Sequence, residues 1–162
     1  MKVALAISVP SGLWRGLPRA RAMARETIAA AIAESGRITP ESADLSLCLA
    51  DDARLQALNL RWRGVDKPTN VLSFPSAQPD RFAEPVTLGD IALAYETLAR
   101  EANELGAPLA DHYRHLVAHG FLHLIGYDHG SDEEAERMEA LETRIMARLG
   151  AADPYAREVA KA

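Results

Sequence analysis

At 162 residues, with a formal net charge of −5 and an isoelectric point near 5.5, the chain is long enough to bury one core without staples. That acidity argues against coating nucleic acid by overall attraction, although it leaves room for a local site that holds one phosphate. A single cysteine, Cys48, excludes an internal disulfide and reads as a buried small hydrophobe. No stretch reaches the ~18 apolar residues of a membrane helix, so a soluble, cytoplasmic protein is expected, with neither membrane nor DNA as a partner.

Residues 3 to 9 are rich in Val, Ile and Ala and read as a strand, ended by Pro10 and the Ser11-Gly12 turn signal. After Pro18 an alanine-rich segment runs to Gly36, with Ala24, Ile28, Ala31 and Ile32 as the apolar stripe of a surface helix. Leu45, Leu47 and Leu49 alternate with Ser46 and Cys48 as a second strand, and Asp51 then caps a helix that ends before Gly64. A polar loop from Asp66 to Asn70 leads into a short strand, Val71 to Phe74, and Pro75 to Pro85 reads as loop. Leu88 to Tyr95 is a fourth strand with Gly89-Asp90 at its start. One helix follows to Gly106, and another from about Leu109 carries His112, read as surface, then His115, His119 and His123. Ser131 and Glu134 form a capping box for a last helix bearing Met138, Leu141, Ile145 and Leu149, stopped by Gly150 and expected to clamp the histidine helix from outside.

These elements predict an α/β (α+β) protein: one domain over residues 1–150, with a small, mixed, mostly parallel four-stranded sheet packed with about five helices and a metal site on a C-terminal helix. Strands one to three are joined through helices and are expected to be parallel, with the fourth as an antiparallel edge. Residues 151–162 are expected to fray as a C-terminal tail.

The most informative passage is HGFLHLIGYDH, residues 119 to 129. His119 and His123 stand four apart on a helix, so both imidazoles project from one face, roughly 5–6 Å apart at Cβ. Gly126 sits where that helix needs a left-handed residue to end it, and the chain turns back to bring up His129. Three neutral imidazoles suit zinc with an open fourth position, the catalytic arrangement, although imidazole also suits nickel, copper and iron. The same spacing occurs in the H-E-x-x-H-x-x-G-x-x-H motif of metzincin proteases, whose Glu is the general base. Here that position is Gly120, which disfavours peptide hydrolysis by that route.

Together with WRGVDKPTNVLSFP at residues 62 to 75 and GDI at 89 to 91, this passage resembles the YbeY family, the metal-dependent endoribonucleases of ribosomal RNA maturation. The resemblance spans the whole chain, with Trp62 where a tyrosine is more usual. It implies one zinc ion on His119, His123 and His129 and a catalytic or phosphate-binding role for Arg63. It also implies single-stranded RNA cleavage in maturation of the 3′ end of small-subunit ribosomal RNA and in ribosome quality control, with the small subunit and its assembly proteins as partners. Such chemistry is coherent, because a metal and a guanidinium fork together stabilise charge on phosphoryl oxygens. Two other readings stay open: a ribosome-associated assembly factor with a structural metal, and a zinc-dependent peptidase or other hydrolase.

Further candidates have two readings each. Lys67, Thr69 and Asn70 either contact phosphate or a base, or serve the turn around Pro68. Asp90 and Asp128 either orient a ligand imidazole or act as turn aspartates. His115, one turn before His119, either carries protons or lines an RNA groove, or donates to a carbonyl. Trp62 and Phe74 flank the loop and are placed to stack on an unpaired base, with core packing the commoner use of Phe74.

Overall fold

The computed structural model describes residues 3–82 and 85–156. Four strands, β1 (Ala4–Ser8), β2 (Ala43–Ala50), β3 (Val71–Pro75) and β4 (Val86–Ala94), form one sheet in the order β1-β2-β4-β3. Helices α1 (Ala20–Ser35), α2 (Asp52–Arg63), α3 (Tyr95–Leu105), α4 (Leu109–Leu124) and α5 (Asp132–Arg148) pack around it. β1, β2 and β4 are mutually parallel, whereas β3 runs antiparallel to β4. The antiparallel edge is therefore the third strand, not the fourth as expected. β4 is inserted between β2 and β3, and its run from Ile91 to Ala94 is buried on both faces, as an interior strand must be.

Alternation along β2 divides the molecule. Leu45, Leu47 and Leu49 join Ile91 and Leu93 in the main core, against Ala24, Ile28 and Ala31 of α1 and Tyr113, Val117 and Phe121 of α4. Met138, Leu141 and Ile145 of α5 close that core from outside, as their spacing predicts. The opposite face carries a smaller cluster in which Leu55 of α2 meets Ala50, Leu72, Ala92 and Ala94, with Cys48 only partly buried beside it. The caps follow the sequence: Asp51 Oδ1 accepts from the Arg54 N–H at 2.9 Å and Ser131 Oγ from the Glu134 N–H at 3.2 Å.

Gly89 lies in the middle of β4 rather than at its start. Its φ of 143° is open to glycine alone, and a Cβ there would collide with the carbonyl oxygen of Phe74 and lie 3.0 Å from Leu124 of α4. Bare backbone at this point lets β3, β4 and the end of α4 come together. Beyond α5, the Tyr155 hydroxyl donates to Glu142 at 2.7 Å. Residues 157–162 of the expected tail lie outside the described residues.

Candidate metal centre

The buried face of α4 presents Leu116, Val117, Gly120, Phe121 and Leu124 to the core, which turns His119 and His123 outward. Their ring centroids are 4.6 Å apart and their Nε2 atoms 3.1 Å apart. Gly120 is held against the sheet: its carbonyl accepts from Ser73 Oγ at 3.0 Å, and a Cβ would lie 3.0 Å from that Oγ and 3.1 Å from Ile91 Cγ2. A glutamate at this position would therefore face β3 and β4, not the histidines.

After α4 the chain reverses through Gly126 at φ 97°, and the Tyr127 N–H donates to Leu122 O at 3.0 Å. Arg37 fastens the turn: its guanidinium lies 3.8 Å above the Tyr127 ring, and its Nη1 donates to Ile125 O at 2.9 Å. The turn delivers His129, whose ring lies 5.8 Å from that of His119 and 5.1 Å from that of His123. One ring nitrogen from each of the three histidines falls within 4.8 Å of the others. Asp128 Oδ1 accepts from the His129 N–H at 2.8 Å, so this carboxylate shapes the approach to His129.

The second nitrogen of two of these rings is committed. His119 Nδ1 lies 2.9 Å from Glu142 Oε1, and His123 Nδ1 lies 3.0 Å from Tyr127 O. Both partners accept, so both Nδ1 atoms carry the proton and both Nε2 atoms present lone pairs. Two lone pairs facing each other at 3.1 Å repel unless a cation lies between them. Nitrogens bound at about 2.0–2.1 Å to one tetrahedral ion stand roughly 3.3 Å apart, so the donor set fits a zinc-like cation. Burial, followed by the neighbouring imidazoles of His119 and His129, holds His123 below its ordinary pKa and favours the neutral, ligating form.

A cleft of about 710 Å³ joins this cluster to the second motif. Arg63, the last residue of α2, and Trp62 line it as well, with Asn70 and the β3 residues Val71 to Pro75. Arg63 is exposed and makes no ion pair among the described residues. Trp62 is 62% exposed, with its ring 6.3 Å from that of Phe74 and the Arg61 guanidinium 5.1 Å away.

Other candidates are placed elsewhere or otherwise engaged. Asp90 accepts a hydrogen bond from Ser46 on the open face of the sheet, so it does not orient an imidazole. Neither Lys67 nor Thr69 lines the cleft; the Lys67 carbonyl accepts from Asn59 Nδ2 at 2.9 Å. Asn70 does line it, but its Nδ2 donates to Glu101 at 2.9 Å and its Oδ1 accepts from the Val71 N–H. His115 Nε2 lies 2.9 Å from Glu142 Oε1, in an adjoining hollow of about 520 Å³ shared with Glu101, His112 and Tyr155. His112, expected at the surface, is buried and paired with Glu101 at 2.9 Å.

Sequence reasoning missed Glu142. This carboxylate is 1% exposed and meets His115, His119 and Tyr155. Burial would raise its pKa, but the hydrogen bonds and charges of His115 and His119 outweigh it and bring the carboxyl down to about 2. The available signal was an acidic residue inside the apolar stripe Met138, Leu141, Ile145.

The family model described as Endoribonuclease YbeY matches residues 17–150. A protein of that name from Methylocella silvestris is 50% identical over 155 residues, covering 96% of this chain and 87% of the relative. Another from Bradyrhizobium diazoefficiens is 51% identical over 154 residues, covering 93% and 84%. The solution structure of TM1509 from Thermotoga maritima shares the fold with a TM-score of 0.57 at 23% identity, covering 93% of this chain and 97% of that one. On the match of the family model and the identity to these relatives, the chain belongs to the YbeY endoribonuclease family.

Proposed function

We propose that this protein is a zinc-dependent endoribonuclease that cuts single-stranded RNA in the cleft between α4 and the end of α2, and that it does so in maturation of small-subunit ribosomal RNA. The observation that carries the reading is that an unpaired guanidinium and three convergent imidazoles share one open cleft. His119, His123 and His129 would hold the ion. Bound there, it supplies Lewis-acid polarisation of a phosphoryl oxygen. Arg63 offers a planar fork of donors to the same phosphate and stabilises charge as it develops. Glu142 and the Tyr127 carbonyl keep the Nδ1 protons of His119 and His123, so those ligands present lone pairs throughout.

Exposed Trp62, with Phe74 behind it, offers an aromatic face to a base that is not already stacked in a duplex, which favours single strands. The small subunit and its assembly proteins are the partners this role requires, and the cytoplasm is its location. No helix among the described residues is long and apolar enough to cross a membrane. Gly120, packed on Ser73 and Ile91, removes support from a metzincin-type peptidase. Histidines open to a cleft also fit a purely structural ion less well than a reactive one.

His119→Ala is expected to lose the metal, and Arg63→Glu to keep metal and fold while cleavage of single-stranded RNA falls by at least about 10²–10³-fold. Metal analysis, circular dichroism and a cleavage assay on single-stranded and duplex RNA read these outcomes. Full metal content in His119→Ala would remove the ligand assignment, and unchanged cleavage by Arg63→Glu would remove the arginine's role.

A further inference from the structure

We propose that Glu142 is a positioning residue of the metal centre: its buried carboxylate fixes the His119 imidazole in the Nδ1–H form and aims Nε2 at the ion. The inference rests on the metal-centre reading above and assigns work to a residue outside the histidine motif, on a different helix.

The geometry leaves Glu142 one set of partners. Oε1 lies 2.9 Å from both His115 Nε2 and His119 Nδ1, and Oε2 accepts from the Tyr155 hydroxyl at 2.7 Å. An ionised carboxylate only accepts, so three donors surround it and each histidine is held in one tautomer. With 1% exposure, the carboxylate has no water to replace a lost partner. Its Cα is fixed on α5 between Leu141, Ile145 and Met146, all buried, so the acceptor cannot drift.

His123 is aimed differently, by the neutral Tyr127 carbonyl at 3.0 Å. A charged acceptor makes the opposite ring nitrogen a stronger donor to a cation than a carbonyl does. His119 is thus the stronger donor of the two ligands on α4. Through Tyr155, which is 13 residues beyond Glu142, the segment after α5 is tied to the same carboxylate.

The test compares the unmodified chain with Glu142→Met, similar in volume and without an acceptor, and Glu142→Gln, which keeps one acceptor oxygen but no charge. Zn²⁺ affinity is measured by competition with a chelator, and the Nδ1 proton of His119 is followed by nuclear magnetic resonance on histidine-labelled, zinc-loaded protein. Glu142→Met is expected to bind zinc about 10–100-fold more weakly and to lose the protected Nδ1–H signal. Glu142→Gln is expected to retain the signal at a shifted position, with affinity reduced by about tenfold. A role in packing alone would alter melting and leave the Nδ1–H resonance in place. Affinities within twofold of the unmodified chain together with an unmoved resonance would overturn the proposal. Should Glu142→Met not fold, Glu142→Gln decides by the same two readouts. Failure of the unmodified chain to bind zinc would instead overturn the metal-centre reading on which the proposal stands.

Discussion

Gly120 shows how a single residue separates this site from the peptidase motif it shares spacing with. Restoring the missing acid as Gly120→Glu is expected to create no peptidase activity and to lower stability by about 3 kcal/mol or more, read by urea denaturation, because the new side chain is driven into Ser73 and Ile91 without a partner for its charge. A variant that folded normally and cleaved peptides would contradict this packing argument. Spacing alone brought the three histidines together, since their geometry depends on one helix and one turn. Glu142 escaped notice because its partners are 23 and 27 residues away and meet it only once α5 has packed on α4. Both readings offered for Asp90 left out its partner for a related reason: which side chain faces it depends on strand order, and the neighbour is Ser46 of β2.

At the level of elements, α4 works as a two-sided wedge, with its glycine face on the sheet and its histidine face in the cleft. Gly89 sets how deeply the wedge is seated. Gly89→Ala is expected to cost at least about 2 kcal/mol, from the left-handed φ and from the clash with the Phe74 carbonyl and Leu124. Thermal melting checks the cost, and a melting temperature equal to that of the unmodified chain would show that β3 and α4 can separate without penalty. The elements themselves were legible, because apolar period and caps are local signals. Strand order was not, although two hints are present: Pro75 ends β3, as suits an edge, and Ile91 to Ala94 is a continuous apolar run, as suits an interior strand.

For the molecule as a whole, three groups give the metal-free protein an acid limb of stability: His123, Glu142, and Glu101, whose carboxyl, despite burial, is held below its ordinary range by hydrogen bonds from His112 and Asn70. His123 has a folded pKa below its ordinary 6.5. The unfolded chain therefore takes up that proton first, and stability falls as pH drops from 6.5 through the folded value, with no contribution above 6.5. Glu142 is depressed from 4.5 to about 2, so its contribution is complete above 4.5 and is lost as pH falls toward about 2. Urea midpoints across pH are expected to be level above 6.5, to decline below it, and to decline again under 4.5. In Glu142→Gln the lower decline should be shallower, with Glu101 still contributing to it, and a decline of unchanged size would exclude Glu142 as a source. Zinc should steepen the upper limb, since protons compete with the metal for imidazole.

The position of β4 between β2 and β3 also orders events in time. β3 is made before β4 but has no strand to pair with until β4 has entered the sheet. The β3 part of the cleft lining lacks its strand partner until then, and the histidine part waits for α4, the turn to His129 and the carboxylate of α5. A chain emerging from a ribosome therefore cannot assemble its cleft piecemeal, because the closing contacts join Ser73 to Gly120 and His119 to Glu142, and each needs both of its elements to have been made. The fold thus ensures that the reactive surface is finished only once α5 has been made and has packed on α4.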